Sequence, residues 1–248
     1  MNPRGLKFPF KSMIDECALM RSYAKDVLDS ETTDILDELK GQLTGLQNFK
    51  TGRGTTRWEL PPERALRTIW SEGKSQPDGK SGWKLRAKFS FAWDIHPVKK
   101  AAGRPEFFSL DGLASTVVQI EDDEERCLLC WATEVGDHQS PGAHFHFQLK
   151  NLGLGTSAPS LDIPRLPALL MSPFLAMELA IGELFQDEWR RYALSEKPEV
   201  NQWRKIHQPR LESFFKWQMN CLRSAGSPWI ALKAAKPHPD LLISKNAP

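Results

Sequence analysis

The hydrophobic pattern between residues 84 and 150 alternates with a period of two, which is typical of strands with one buried face. In the segment WKLRAKFSFAWDIHP, apolar residues from Leu85 to Ile95 occupy every second position, with mostly polar residues between them. The segments FFSLDGLASTVVQIE, RCLLCWATEV and AHFHFQLKN also have strand character, and short connections join the last two to the strands before them. Together these segments predict a four-stranded antiparallel meander over about residues 84–150.

Helical periodicity flanks this sheet on both sides. Residues 1–48 contain two amphipathic stretches, and Ser172 followed by Pro173 predicts the start of a helix in the second half of the chain. We therefore predict a single α+β domain, with helices packed on one face of the sheet. Its expected parts are a helical segment at 1–48, the sheet at 83–150, a second helical segment at 168–226 and an extended tail at 227–248.

Composition indicates a globular protein. Hydrophobic residues make up 40% of the chain and charged residues 26%, which is ordinary for such proteins. No apolar run approaches the ~18 residues that span a bilayer, and the first thirteen residues lack the apolar core of a signal peptide. We expect a cytoplasmic protein with no membrane partner and with reduced cysteines. No sequence pattern indicates its oligomeric state.

Positive charge is concentrated in one segment although the formal net charge is only +2. Between Phe49 and Arg104 there are thirteen Lys and Arg residues against five Asp and Glu residues. The candidate binding residues of this basic segment are Arg53, Arg57, Arg64, Arg67, Lys84, Arg86 and Lys88. The first functional prediction is a non-catalytic binding or adaptor protein that contacts nucleic acid or an acidic partner through this surface. Lysines on the solvent-exposed face of a strand also protect a sheet edge from aggregation, and this structural role is the alternative to binding.

Two cysteines spaced as C-x-x-C, Cys127 and Cys130, resemble half of a zinc knuckle or a redox pair. Residues three apart on a strand point to opposite faces, and no second C-x-x-C occurs in the chain. We therefore interpret both as packing residues.

The last predicted strand carries two histidines, His144 and His146, on the same face. If GDHQSPG forms the turn before it, Glu134 lies opposite His144 and Ala132 lies opposite His146. Even-numbered residues of 128–134 then share the face of the histidines, whereas odd-numbered residues join Phe145 and Phe147 in the core. Two imidazoles and a carboxylate can bind a divalent metal such as zinc or manganese, with His138 of the turn as a further ligand.

This cluster gives the second functional prediction, a metal-dependent hydrolase in which Glu134, His144 and His146 are catalytic. The metal would lower the pKa of a bound water toward ~7 and so supply a nucleophile. Without metal, the same residues could form a histidine general base oriented by the glutamate. A polar sheet face also collects His and Glu with no chemical role, and H-x-H spacing alone does not separate these interpretations.

Overall fold

The computed structural model describes residues 5–48, 54–71, 84–98, 103–136, 142–147, 166–167, 172–224, 226–228, 230–231 and 235–243. Its helices are α1 (Phe10–Tyr23), α2 (Asp34–Asn48), α3 (Pro173–Ala193) and α4 (Pro198–Ser224). Its strands are β1 (Lys7–Pro9), β2 (Thr56–Leu60), β3 (Leu66–Arg67), β4 (Leu85–Val98), β5 (Phe107–Asp122), β6 (Cys127–Val135), β7 (His144–Phe147) and β8 (Leu166–Pro167). The predicted α+β class is confirmed.

The sheet is larger than the predicted four-stranded meander. Strands β4 to β7 are consecutive antiparallel neighbours, but β2 continues the sheet beyond β4 and β8 continues it beyond β7. Strand β1 also pairs with β5, and β3 pairs with β4. The prediction of four strands is therefore wrong. Strands β1, β3 and β8 have only two or three residues, which is too short for a period-two pattern to be visible.

One face of the sheet packs against the helices through large aromatic side chains. Trp58 of β2 lies opposite Trp93 of β4, and neither side chain has appreciable exposed surface. Phe174 of α3 approaches Trp58 with ring centroids 6.3 Å apart, and Phe8 of β1 lies 5.2 Å from Trp93. Burying each such ring contributes roughly 2–3 kcal/mol, so this layer holds the helices on the sheet.

Helix α3 begins where the sequence predicts. The Ser172 hydroxyl accepts a hydrogen bond from the Leu175 backbone N–H at 3.2 Å, and Pro173 occupies the first turn. Helix α4 continues through Pro209 without ending there. Within the described residues, no helix is both long enough and apolar enough to cross a membrane.

Two glycines fix the point where β6 ends. Gly136 has a φ of 91° and Gly112 of β5 has a φ of 96°, both in the left-handed region that disfavours other residues. A Cβ added to Gly136 would overlap the carbonyl oxygen of Gly112. The backbones of β5 and the end of β6 therefore meet more closely than any side chain allows, two residues after Glu134.

Candidate metal centre

Strands β6 and β7 bring the predicted acid and histidines together. Glu134 lies opposite His144, and Ala132 lies opposite His146. The register predicted from the length of the turn is therefore confirmed. Because directly opposed residues of antiparallel strands project to the same face, all three polar side chains leave the sheet on one side.

The potential ligand atoms lie close to one carboxylate oxygen. His144 Nε2 is 3.3 Å from Glu134 Oε2, and His146 Nδ1 is 3.8 Å from the same oxygen. The two imidazole rings are stacked, with centroids 5.8 Å apart and planes inclined by 22°. One ligand atom from each of the three residues lies within 4.8 Å of the other two.

Neighbouring groups orient both the carboxylate and one ring. The Ser115 hydroxyl on β5 donates to Glu134 Oε1 at 3.0 Å, which leaves Oε2 directed at the histidines. His144 Nδ1 lies 3.0 Å from the carbonyl oxygen of Gly142. When Nδ1 carries a proton, the Nδ1–H group donates a hydrogen bond to this carbonyl. Nε2 then has a lone pair that can bind either a second proton or a metal.

The carboxylate is held in its charged form. Burial raises the pKa of Glu134, but the hydrogen bond from His144, the charge of His146 and the Ser115 hydroxyl lower it more. The net result is a pKa below the ordinary value for glutamate. A carboxylate that stays ionised at neutral pH beside two imidazoles is a suitable oxygen donor for a divalent cation.

The face that carries the histidines is more buried than predicted. Cys130 and Ala132 have no exposed surface and His144 is 3% exposed, whereas Leu129 and Phe147, predicted to lie in the core, are 37% and 42% exposed. The assignment of core and outer faces is therefore wrong for parts of β6 and β7. Alternation separates two faces of a strand but does not determine what covers each face. Trp131 does pack in the core, and the buried Cys130 agrees with its interpretation as a packing residue.

Two predicted site residues lie outside the described residues. His138, the proposed additional ligand, belongs to the segment between β6 and β7, and Arg53 precedes β2. Within the described residues, the candidate site therefore consists of Glu134, His144 and His146.

Most of the described residues of the basic segment form ion pairs. On the sheet, Arg86 and Lys88 lie 3.2 Å and 3.1 Å from the Glu121 carboxylate, and Arg86 also contacts Glu125 at 2.7 Å. The Arg86 guanidinium additionally lies over the Trp70 ring, 4.5 Å from its centroid. The positive charges of Arg86 and Lys88 are therefore compensated by carboxylates of the protein itself.

The remaining predicted basic residues are spread over separate elements. Arg57 pairs with Glu59 at 2.8 Å, and Arg64 pairs with Glu38 of α2 at 2.7 Å. Arg67 of β3 lies opposite Lys88 of β4 and is half-buried. Lys84, just before β4, is exposed. The structure thus joins Glu134 to both histidines, but it does not gather these arginines and lysines into one unpaired cluster.

Ser115 and Gly142, which orient Glu134 and His144, are not indicated by the sequence. Ser115 lies opposite Glu134, but the pairing of β5 with β6 shifts between Ile120 and Glu121. Counting back from the turn between these strands would therefore place Thr133 opposite Ser115. The bulge has no sequence signature strong enough to reveal this shift.

The chain matches no known protein-family model, no curated protein and no solved structure. The interpretation of Glu134, His144 and His146 therefore rests on their geometry and chemistry.

Proposed function

We propose that Glu134, His144 and His146 bind one divalent metal ion and that the protein is a metal-dependent hydrolase. The observation that carries the proposal is the convergence of both histidines on Glu134 Oε2, at 3.3 Å and 3.8 Å. Ligands placed about 2.0–2.2 Å from a tetrahedral zinc ion are separated by roughly 3.3–3.6 Å. Two of the three ligand separations are thus near those of a zinc site before any side chain moves.

The donor set favours zinc over manganese. Two imidazole nitrogens and one carboxylate oxygen suit zinc, whereas manganese prefers oxygen-rich sites and binds more weakly to nitrogen donors. Catalytic zinc sites commonly have three protein ligands and a fourth position for water, which the bound metal activates as a nucleophile. Glu134 and His146 retain 11% and 16% of their side-chain exposure, which gives solvent a route to this position.

Ser115 and Gly142 provide the outer contacts that such a site needs. A metal on His144 Nε2 would displace the proton that faces Glu134, while Nδ1–H continues to donate to Gly142. The hydrogen bond from Ser115 keeps Glu134 Oε2 directed at the metal position. Groups of this kind fix the orientation and basicity of metal ligands.

The test is zinc stoichiometry, measured by elemental analysis and by titration against a chromogenic chelator. We expect one zinc per chain, lost in a His144→Ala/His146→Ala variant and retained in His96→Ala, a matched change at a half-buried histidine of β4. Zinc-loaded protein is then assayed on chromogenic carboxylic and phosphoric esters, where we expect hydrolysis that Glu134→Gln abolishes. Absence of zinc binding by the wild type would refute the metal centre, and binding without hydrolysis would refute the enzymatic part.

The adaptor function predicted from the basic segment is the alternative to this proposal. Lys84 is exposed and supports it, but the pairing of Arg86 and Lys88 with Glu121 reduces the charge that this surface offers. Nucleic-acid affinity that falls steeply with salt would support it.

A further inference from the structure

A pocket of about 310 Å³ opens between α1, α3 and α4 and shares no residue with the metal centre. Its volume lies at the lower end of the range of small-molecule sites, roughly 300–1,000 Å³. Its wall combines apolar and polar side chains. Leu211 and Phe215 are apolar, Tyr23, Glu178 and Trp203 carry polar atoms, and Arg204 and Glu212 add one charge of each sign.

Among the described residues, the Glu178 carboxylate in this wall accepts hydrogen bonds from two neutral donors. Tyr23 Oη donates to Oε1 at 2.6 Å, and Trp203 Nε1 donates to Oε2 at 2.6 Å. Within the described part of the chain, no Lys, Arg or His nitrogen forms an ion pair with Glu178. Because an ionised carboxylate offers about four acceptor positions, this group can accept further hydrogen bonds.

The two donors are fixed in place by aromatic packing. The rings of Tyr23 and Trp203 are stacked with centroids 5.0 Å apart, and Trp189 meets Tyr23 edge-on at 4.8 Å. Neither donor can turn away from the carboxylate without breaking these contacts. The position of Glu178 is therefore set before any ligand arrives, which reduces the entropic cost of binding.

The charge of Glu178 is costly in this environment. Burial raises the pKa of Glu178, and the hydrogen bonds from Tyr23 and Trp203 only partly oppose this effect. Buried charges in proteins are usually compensated by an opposite charge. A cation placed in the pocket would supply that compensation, whereas an anion would be repelled by the same carboxylate.

We propose that the pocket between α1, α3 and α4 binds a small organic cation, an ammonium or guanidinium group carried on an apolar body. The cationic group donates hydrogen bonds to the Glu178 carboxylate. The apolar body lies along Leu211 and Phe215, and Phe215 is 50% exposed at the pocket. This site is independent of the metal centre, and either proposal stands if the other fails.

Benzylammonium is the probe, and benzyl alcohol is its neutral control of similar shape. Binding is measured by calorimetry and by the tryptophan fluorescence of the full chain. We expect benzylammonium to bind at least about tenfold more tightly than the alcohol, because a charge-assisted hydrogen bond forms only with the cation. Glu178→Gln should remove this preference, whereas Glu183→Gln, an exposed change on the same helix, should keep it.

A second variant covers the case in which Glu178→Gln disturbs the fold. Leu211→Trp fills the pocket while leaving Glu178, Tyr23 and Trp203 unchanged, and we expect it to abolish benzylammonium binding. The proposal is overturned if the wild type does not bind benzylammonium, if the alcohol binds equally well, or if folded Leu211→Trp binds as the wild type does.

Discussion

His144 Nε2 lies 3.3 Å from Glu134 Oε2, across the pairing of β6 with β7. Since His144 Nδ1 faces the Gly142 carbonyl, the ring can donate to both oxygens only when it is protonated. A divalent metal bound at this site would therefore compete with a proton for Nε2. It follows that zinc affinity should fall as the pH is lowered.

The hydroxyl of Ser115 is predicted to set the strength of metal binding without touching the metal. Ser115→Ala removes the hydrogen bond to Glu134 Oε1 and frees the carboxylate to rotate. We expect a loss of zinc affinity of about 10–100-fold, measured by chelator competition. Ser115→Thr keeps a hydroxyl and should retain most of the affinity, as should Ser90→Ala on the neighbouring strand. Equal affinity of Ser115→Ala and wild type would show that the serine has no positioning role.

The ion pairs of Glu121 are predicted to matter for stability because they are buried. The Glu121 and Arg86 side chains are only 7% and 9% exposed, so Glu121→Gln takes a buried carboxylate away from Arg86 and Lys88 and leaves Arg86 with the exposed Glu125. We expect a loss of about 3–5 kcal/mol in the free energy of unfolding, measured by urea denaturation. Glu124→Gln in the following turn breaks an exposed pair with Arg126 and should cost far less, because solvent screens that pair. Similar losses in the two variants would contradict this account.

His207 is predicted to make the fold sensitive to acid. Burial lowers the pKa of His207 from 6.5 to about 4, with Arg210 adding to this effect and Glu16 opposing it. Between these values the unfolded chain binds a proton that the folded chain does not. Stability is therefore greatest above about pH 6.5 and is lost as the pH falls toward 4, by up to about 3 kcal/mol from this group. His207→Gln should lose less stability between pH 7 and pH 4 in urea denaturation, and an unchanged pH dependence would rule out His207 as the cause.

The basic segment is predicted to bind nucleic acid weakly. Arg57, Arg64, Arg86 and Lys88 each pair with a carboxylate, so few counterions would be released on binding. Fluorescence anisotropy with a labelled single-stranded oligonucleotide should show little affinity and a shallow salt dependence. Tight binding with a steep salt dependence, reduced by Lys84→Ala, would instead favour the adaptor function.

Local sequence patterns predicted much of this structure where the relevant contacts are close along the chain. Few residues separate β6 from β7 in the sequence, so the length of this connection predicted that Glu134 faces His144. The N-cap of α3 was equally local, since Ser172 and Leu175 are three residues apart.

Features that depend on distant contacts escaped prediction. Strands β1 and β8 are too short to show alternation, and the shifted pairing near Ile120 hid the contact of Ser115 with Glu134. The hydrogen bond from Tyr23 to Glu178 joins residues 155 positions apart, and no local pattern encodes it. The number of charges along the chain likewise identifies the basic segment. It does not reveal the carboxylates that pair with it, because Glu38 and Glu121 lie outside that segment.

X-ray absorption at the zinc edge of the zinc-loaded protein tests the central claim most directly. We predict one zinc per chain with two imidazole nitrogens and at least one carboxylate oxygen at about 2.0–2.2 Å, and loss of the imidazole signal in His144→Ala/His146→Ala. A spectrum with sulfur ligands, or one that the double variant leaves unchanged, would place the metal elsewhere and contradict a centre built on Glu134, His144 and His146.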